Sequence, residues 1–308
     1  MKKKFELANL SKNLLYCVCF SICALNLTAC DDDDENGTQG NGPAPIGIPS
    51  SVVDGVRATS MSGVDVTYNE DGTIKEAEVD GNTLVFNYAS SRAIKVDPIR
   101  SLISITSSER ESERWIASDF AFNTSGFVTA YKLKYTDTDP DFREEMNIAY
   151  TFNYNADGQM QKISMKTDGK DDEGSYSESG EINYTYNNKV LEKIETKSNN
   201  ITYCSQTYEY TQAIKNTYNA MPLLLLPEEL ASDDCVFNVF AITGYLGNAG
   251  ANLPTAMTIK NTDLEDPSEN STERYNLSYT LNENNAISSY TLSRYGETMT
   301  FPCDWTNF

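Results

Sequence analysis

Residues 148–163 read IAYTFNYNADGQMQKI. Ile148, Tyr150, Phe152 and Tyr154 alternate with Ala149, Thr151 and Asn153, the period-two signature of a strand with one apolar face. Asn155-Ala156-Asp157-Gly158 supplies a tight turn in which Gly158 is free to take positive φ, and a second strand leaves through Met160 and Ile163. The stretch is a β-hairpin. The same phrase returns as VTYNEDGTIKEA from Val66, FAFNTSGFVTAY from Phe120, INYTYNNKVLEKI from Ile182 and LSYTLNENNAISSY from Leu277. Asp71-Gly72 and Asp80-Gly81 turn the chain twice within a few residues, which predicts an up-and-down meander of short strands. The expected fold is all-β: an antiparallel meander of repeated hairpins curling into a soluble, barrel-like sheet.

One segment breaks the pattern. NAMPLLLLPEELASDDCVFNVFAITGYLGNAGANLP, residues 219–254, does not alternate. Its apolar run from Val236 to Leu246 predicts a short helix stopped by Gly247. An apolar insertion of this kind reads as a plug or lid over the greasy face of the sheet, or as the lining of a ligand pocket. Strands resume at Met257 and Tyr275. The chain ends FPCDWTNF, and stepping back by twos from Phe308 meets Thr306, Asp304 and Pro302, which is no lipid-facing strand. The second faces of the hairpins carry Thr, Asn, Glu and Lys, which hydrocarbon does not accept.

The N-terminus points to export. Lys2, Lys3 and Lys4 precede an apolar run from Leu14 to Leu27, followed by Leu27-Thr28-Ala29-Cys30. These are the parts of a secretory signal, and Leu-Thr-Ala-Cys resembles the lipobox of bacterial lipoproteins, which implies residues 1–29 as signal peptide and Cys30 as the lipidated N-terminus. Asp31-Asp32-Asp33-Asp34-Glu35 resembles the acidic sorting signal of Bacteroidetes-type surface lipoproteins. That implies an outer-membrane anchor on the cell surface, with a periplasm-facing anchor as second choice. The Gly-, Asn- and Pro-rich residues that follow complete a tether over 30–50, with a flexible reach of roughly 25 Å. The single β domain is expected over 51–308.

Composition excludes more than it selects. Loss of residues 1–29 takes away four lysines and one glutamate, leaving 20 basic and 44 acidic side chains and a formal charge of −24. Phosphate backbones repel such a chain, so no nucleic-acid partner is expected. There is no histidine, which removes Ser/His and Cys/His nucleophilic pairs and histidine-bound zinc. No nucleotide-binding or hydrolase fingerprint appears. No catalytic residue, metal site or cofactor is expected. The acidic clusters Thr136–Asp141 and Asp168–Glu173 lack the ligand spacing of an EF-hand and are expected to face water. Cys204, Cys235 and Cys303 remain after cleavage besides Cys30, and sequence leaves their pairing open.

With lipobox, acidic run and Tyr/Phe-Asn-x-x-Gly hairpins together, the chain resembles a family of Bacteroidales lipoproteins of unknown function with a porin-like fold. The likeness covers roughly Val64 to the C-terminus, and the hairpins are also similar to the YD repeats of RHS-type shells. The family offers no site residues to carry over. With 33 aromatic residues, a surface anchor and no catalytic motif, the expected function is a monomeric, non-catalytic binding module for glycans or other cell-envelope components. Trp115 and Trp305 are the candidate ligand-binding residues. The alternatives are a glycoside hydrolase working with two carboxylates and an adhesive subunit that offers sheet edges to a partner protein.

Overall fold

A computed structural model describes residues 49–307, apart from 71, 80–81, 89–100, 106–112, 140–141, 172–173, 223–224, 228–229, 231–234, 264–267 and 269. The hairpins follow one another as β1 (Val56–Met61), β2 (Val64–Tyr68), β3 (Ile74–Val79), β4 (Asn82–Tyr88), β5 (Ser101–Ile105), β6 (Glu113–Phe122), β7 (Val128–Asp139), β8 (Phe142–Tyr154), β9 (Met160–Asp171), β10 (Gly174–Asn187), β11 (Val190–Ser198) and β12 (Ile201–Glu209). Then comes the non-alternating excursion, with the short β13 (Ile214–Lys215), a helix α1 (Cys235–Ile242) and β14 (Asn252–Leu253), before β15 (Ala256–Asn261), β16 (Ser271–Leu281), β17 (Ile287–Arg294) and β18 (Glu297–Asn307). Sixteen of these strands form one antiparallel ring, in which β12 pairs with β15 across the excursion and β18 returns to β1. The closing register runs from Val56↔Asn307 to Met61↔Cys303. Every strand of the ring therefore has a neighbour on either side, and the sheet edge expected of an adhesive subunit is used up in closure.

Four of the five copies of the phrase make one and the same turn, while the copy from Ile182 turns tightly at Asn188-Lys189. At Asn69, Asn123, Asn155 and Asn282 the backbone N–H donates to the carbonyl four residues on, at 2.8–2.9 Å, and the carbonyl accepts the N–H three residues on, at 2.9–3.0 Å. The residue that must turn left-handed is Gly72, Gly126, Gly158 or Asn285, with φ of 80°, 80°, 74° and 61°, the residue types that tolerate that region. Asn rather than any other residue opens the turn because its side chain completes it: Oδ1 of Asn123, Asn155 and Asn282 each accepts the backbone N–H groups two and four residues later. All four turns lie at one end of the ring, the base, because alternate strands all arrive there.

A second repeated device stands just inside these turns. The inward aromatic near the end of an arriving strand donates to a backbone carbonyl on the strand before it or on the segment leading into that strand: Tyr68 to Ala58, Tyr154 to Val128, Tyr210 to Leu191, Tyr279 to Pro254 and Trp305 to Ile287, at 2.7–2.9 Å. Burial raises the pKa of Tyr68, Tyr154, Tyr210 and Tyr279 well above the ordinary phenol value, so each stays a neutral donor.

The two faces of the wall are opposite in character. On β8, Met146, Tyr150 and Phe152 are buried while Glu145, Asn147, Thr151 and Asn153 are exposed. On β9, Ile163 and Met165 point in and Lys166 and Asp168 point out. The outer face carries ion pairs such as Lys132–Asp119, Lys134–Glu145, Lys162–Glu181 and Lys166–Asp168 at 2.5–2.9 Å. A membrane-spanning barrel needs an apolar band outside, where charged side chains cost about 2–4 kcal/mol each at mid-depth. This barrel has its apolar residues inside and water-seeking ones outside.

A ring of sixteen strands is too wide for its own side chains to fill and would enclose a water channel. The excursion fills it. Every residue of α1 from Val236 to Ile242 is buried, the mark of a helix surrounded on all sides. Phe240 stands at its centre, with ring centroids 5.5 Å from Phe120, 5.5 Å from Tyr245, 6.2 Å from Phe86 and 6.3 Å from Tyr131. Between plug and wall at Met160, Tyr184, Leu191, Met221 and Leu225 only about 10 Å³ is left for solvent, about one water. The plug is tied to the base turns: Val128 N–H donates to Tyr245 O, Asn248 N–H to Gly158 O and Ala251 N–H to Lys189 O, at 2.8–3.0 Å.

Three expectations change. The helix stops at Ile242, and the reversal comes at Gly244, φ +86°, rather than at Gly247. The hairpin strands at the centre are longer than the apolar alternation suggested, β8 having 13 residues and β10 having 14, because their rim halves alternate polar with polar. Asp137, expected to face water, is 5% exposed on the inward face of β7, which it shares with Leu133 and Tyr135.

Candidate ligand-binding rim

The end opposite the base is the rim, and there the inner wall turns from apolar to polar and aromatic. On one side, Tyr176 stands opposite Gly169 in the unbroken β9–β10 register. Its ring covers that glycine: a Cβ at position 169 would lie 2.1 Å from Tyr176 Cζ. Only glycine leaves room for the ring to lie flat on the neighbouring strand. The Tyr176 hydroxyl donates to Glu144 Oε1 at 2.8 Å. Burial, then the hydrogen bond to Glu144 and the charges of Glu144, Asp171 and Glu178, hold this phenol neutral.

The other side is built by β16, β17 and β18. Glu273 and Tyr275 alternate onto the same face as Leu277, and Arg294 onto the same face as Leu292 and Tyr290. Tyr275 donates to Glu273 Oε2 at 2.6 Å, and Arg294 Nη1 donates to the same oxygen at 2.5 Å and to the Tyr275 hydroxyl at 3.1 Å. The Tyr275 pKa is raised by burial and by Glu273, with Arg294 opposing. The Arg294 guanidinium lies 5.4 Å from the Tyr275 ring centroid and 4.9 Å from that of Tyr295, within cation–π range of both.

Beneath this cluster the packed core ends abruptly. Tyr290 and Phe301 face each other across β17–β18 with rings stacked at 4.9 Å, and Tyr290 is 2% exposed. One rung nearer the rim, Met299 opposite Leu292 is 62% exposed on the same inward face. The turn above is Tyr295-Gly296, and Tyr295 is 86% exposed. The rim thus offers fixed aromatic faces, carboxylate acceptors and guanidinium donors at an open wall.

The outer wall near the rim has a shallow depression of about 480 Å³ at Glu145, Asn147, Asp168, Lys170 and Ser177. Lys134 lowers the Glu145 pKa by hydrogen bonding, and Lys166 and Ser177 lower that of Asp168. These carboxylates are charged, exposed and matched by lysines. Among the described residues no group of three or more His, Cys, Asp or Glu is placed to hold a metal ion.

The residues singled out from sequence fall elsewhere. Trp305 is half-buried at the base, its indole N–H donating to Ile287 O and its ring 6.1 Å from that of Tyr218; a ligand there meets ring face only. Trp115 lies on β6 in register with Tyr135, and its side chain is outside the described residues, as are Cys30 and the acidic run. Cys204, Cys235 and Cys303 are not joined to one another by a disulfide. Burial, with Asp304 beside it, pushes the Cys303 thiol up to about 12, which leaves it unreactive. Tyr176, Tyr275, Arg294 and Tyr295 were not singled out; the one local signal was a Tyr-Gly pair at a hairpin turn where Asn-Gly is the usual choice.

No protein-family model and no curated protein matches this chain. Among solved structures, a porin-like protein from Bacteroides vulgatus ATCC 8482 is similar over 83% of this chain and 98% of its own, at 14% identity and a TM-score of 0.52. A porin-like protein from Bacteroides uniformis ATCC 8492 aligns over 82% of this chain and 94% of its own, at 17% identity and a TM-score of 0.47. The similarity to the B. vulgatus protein supports a shared porin-like fold, and at this identity it carries the fold alone.

Proposed function

We propose that the protein is a non-catalytic binding module of the cell envelope, anchored through lipidated Cys30 in the outer membrane at the cell surface, and that it takes a glycan or another envelope component at its rim. The observation that carries this reading is the asymmetry of the barrel. Among the described residues, the plug and the Asn turns pack together at the base, whereas the rim carries Tyr–Glu pairs held by hydrogen bonds of 2.6 and 2.8 Å. The chain also enters at the base, where Ser50 N–H donates to Ser125 O and Ser51 Oγ to Gly244 O. A tether from Cys30 would therefore attach at the base, the end opposite the rim.

The test is a thermal melt of the chain from Asp31 onward against neutral and acidic oligosaccharides. A ligand at 100 times its Kd stabilises the fold by about 2.7 kcal/mol, a shift easily read in a melting curve. Stabilisation by one sugar class that is lost with Tyr176→Ala or Tyr275→Ala is the expected result. Cooperative melting that no oligosaccharide shifts contradicts a glycan ligand.

A further inference from the structure

We propose that Glu273, Tyr275, Arg294 and Tyr295 form a subsite for a neutral pyranose, with the exposed Tyr295 ring taking the sugar's C–H face and Glu273 and Arg294 its hydroxyls. The proposal rests on the binding-module reading above and gives it one place and one ligand chemistry.

The turn itself is the first argument. Among the described residues, the other tight two-residue hairpin turns place small or polar residues at positive φ: Ser62-Gly63, Asn188-Lys189 and Asn199-Asn200. At Tyr295-Gly296 an aromatic residue takes φ +49°, a conformation that Asn or Gly adopts at less cost. The fold gains little from the ring, which is 86% exposed and packs on Arg294, whose guanidinium is 4.9 Å from its centroid. Strain kept where it does not help packing marks a functional position.

Charge supplies the second. Arg294 is bonded to Glu273 at 2.5 Å and stands opposite Glu297 across the β17–β18 turn, so the site sets two carboxylates against one guanidinium in a chain that is strongly acidic overall. A neutral polyhydroxylated ligand suits such a site, and an anionic one is repelled by the rest of the chain. The hydrogen-bonding capacity fits as well: a guanidinium carries five N–H donors, and a carboxylate has two oxygens with several acceptor positions. Tyr275 and Glu273 take up only part of these. Tyr275 and Tyr295 flank the guanidinium and hold it in one orientation. Met299, 62% exposed and one rung deeper, adds an apolar step of the kind that meets a pyranose edge.

The experiment is calorimetric titration of the chain from Asp31 onward with neutral gluco-, manno-, galacto- and xylo-oligosaccharides and with a uronic-acid oligosaccharide, on wild type, Tyr295→Asn and Tyr295→Trp. Asn suits the turn, so Tyr295→Asn keeps or raises the melting temperature while removing the platform. The expected result is at least a roughly tenfold weaker Kd for the neutral sugar in Tyr295→Asn, retained in Tyr295→Trp. Sugar binding unchanged in Tyr295→Asn overturns the subsite and leaves the glycan reading standing. Preference for the uronic-acid probe also overturns the subsite, and no binding by wild type overturns both.

Discussion

Gly247 and Gly158 lie back to back: a Cβ at position 247 would stand 2.4 Å from the Gly158 carbonyl oxygen, the same oxygen that accepts the Asn248 N–H at 2.8 Å. This contact joins the plug to a base turn, and only a backbone without a side chain fits there. Gly247 also has φ +89° and Gly296 φ +90°, but a Cβ at Gly296 meets nothing within 4 Å. Gly296→Ala is expected to cost only conformational strain, about 1–2 kcal/mol. Gly247→Ala is expected to cost a further ~2 kcal/mol or more from the backbone clash. Urea unfolding of the two variants measures the difference, and equal losses would show that plug and turn do not bear on each other.

Asn155 illustrates how the turn chemistry can be tested apart from packing. Its Oδ1 accepts two backbone N–H groups, each at 2.9 Å. Asn155→Ala is expected to lose about 1–2 kcal/mol, and Asn155→Asp, which keeps the acceptor, clearly less. The same pair of substitutions at Asn123 and Asn282 is expected to give the same ranking in thermal melts.

The inside–outside assignment predicts opposite tolerance on the two faces. Phe240→Ala empties the centre of the plug and is expected to cost about 3–5 kcal/mol. Lys166→Ala removes an exposed pair on the outer wall and is expected to change stability by about 0.5 kcal/mol or less. Chemical denaturation of both variants decides the matter; comparable losses would mean that the apolar face is not the core.

Burial raises the pKa of Tyr68, Tyr154, Tyr186, Tyr208, Tyr210, Tyr279 and Tyr290 above the unfolded value. For a raised pKa the contribution to stability is complete below the unfolded value of about 10 and is lost as pH rises beyond it. The expected behaviour is a plateau at neutral to mildly alkaline pH, then unfolding above about pH 10. Absorbance of the phenolate should show these buried tyrosines ionising only together with unfolding.

Much of this architecture could be read in the chain because the hairpin phrase contains its own instructions. Tyr150 and Phe152 announce the inward face, and Asn155 with Gly158 fixes the turn. Closure could not be read, since the pairing of Val56 with Asn307 joins residues whose local sequence carries no trace of each other. The helix end was misplaced because Gly244 and Gly247 are both left-handed, and tertiary contact with Ser51 decides for the first: a Cβ at Gly244 would lie 2.6 Å from Ser51 Oγ. Asp137 looked solvated because acidic alternation resembles a loop until the inward parity of Leu133 is extended through it. Trp305 drew attention as an aromatic near the terminus, yet its N–H is used in the base. The rim cluster stayed hidden because Glu273 and Arg294 are 21 residues apart and meet only through the register of β16 and β17.

This barrel is a filled body with its apolar face inside and its charged face in water. Sedimentation velocity of the chain from Asp31 onward, in buffer without detergent, tests it most directly. A compact, non-aggregating species is the predicted result. Material that sediments as aggregate and disperses only in detergent would contradict the account, because it would place the apolar face on the outside of the ring.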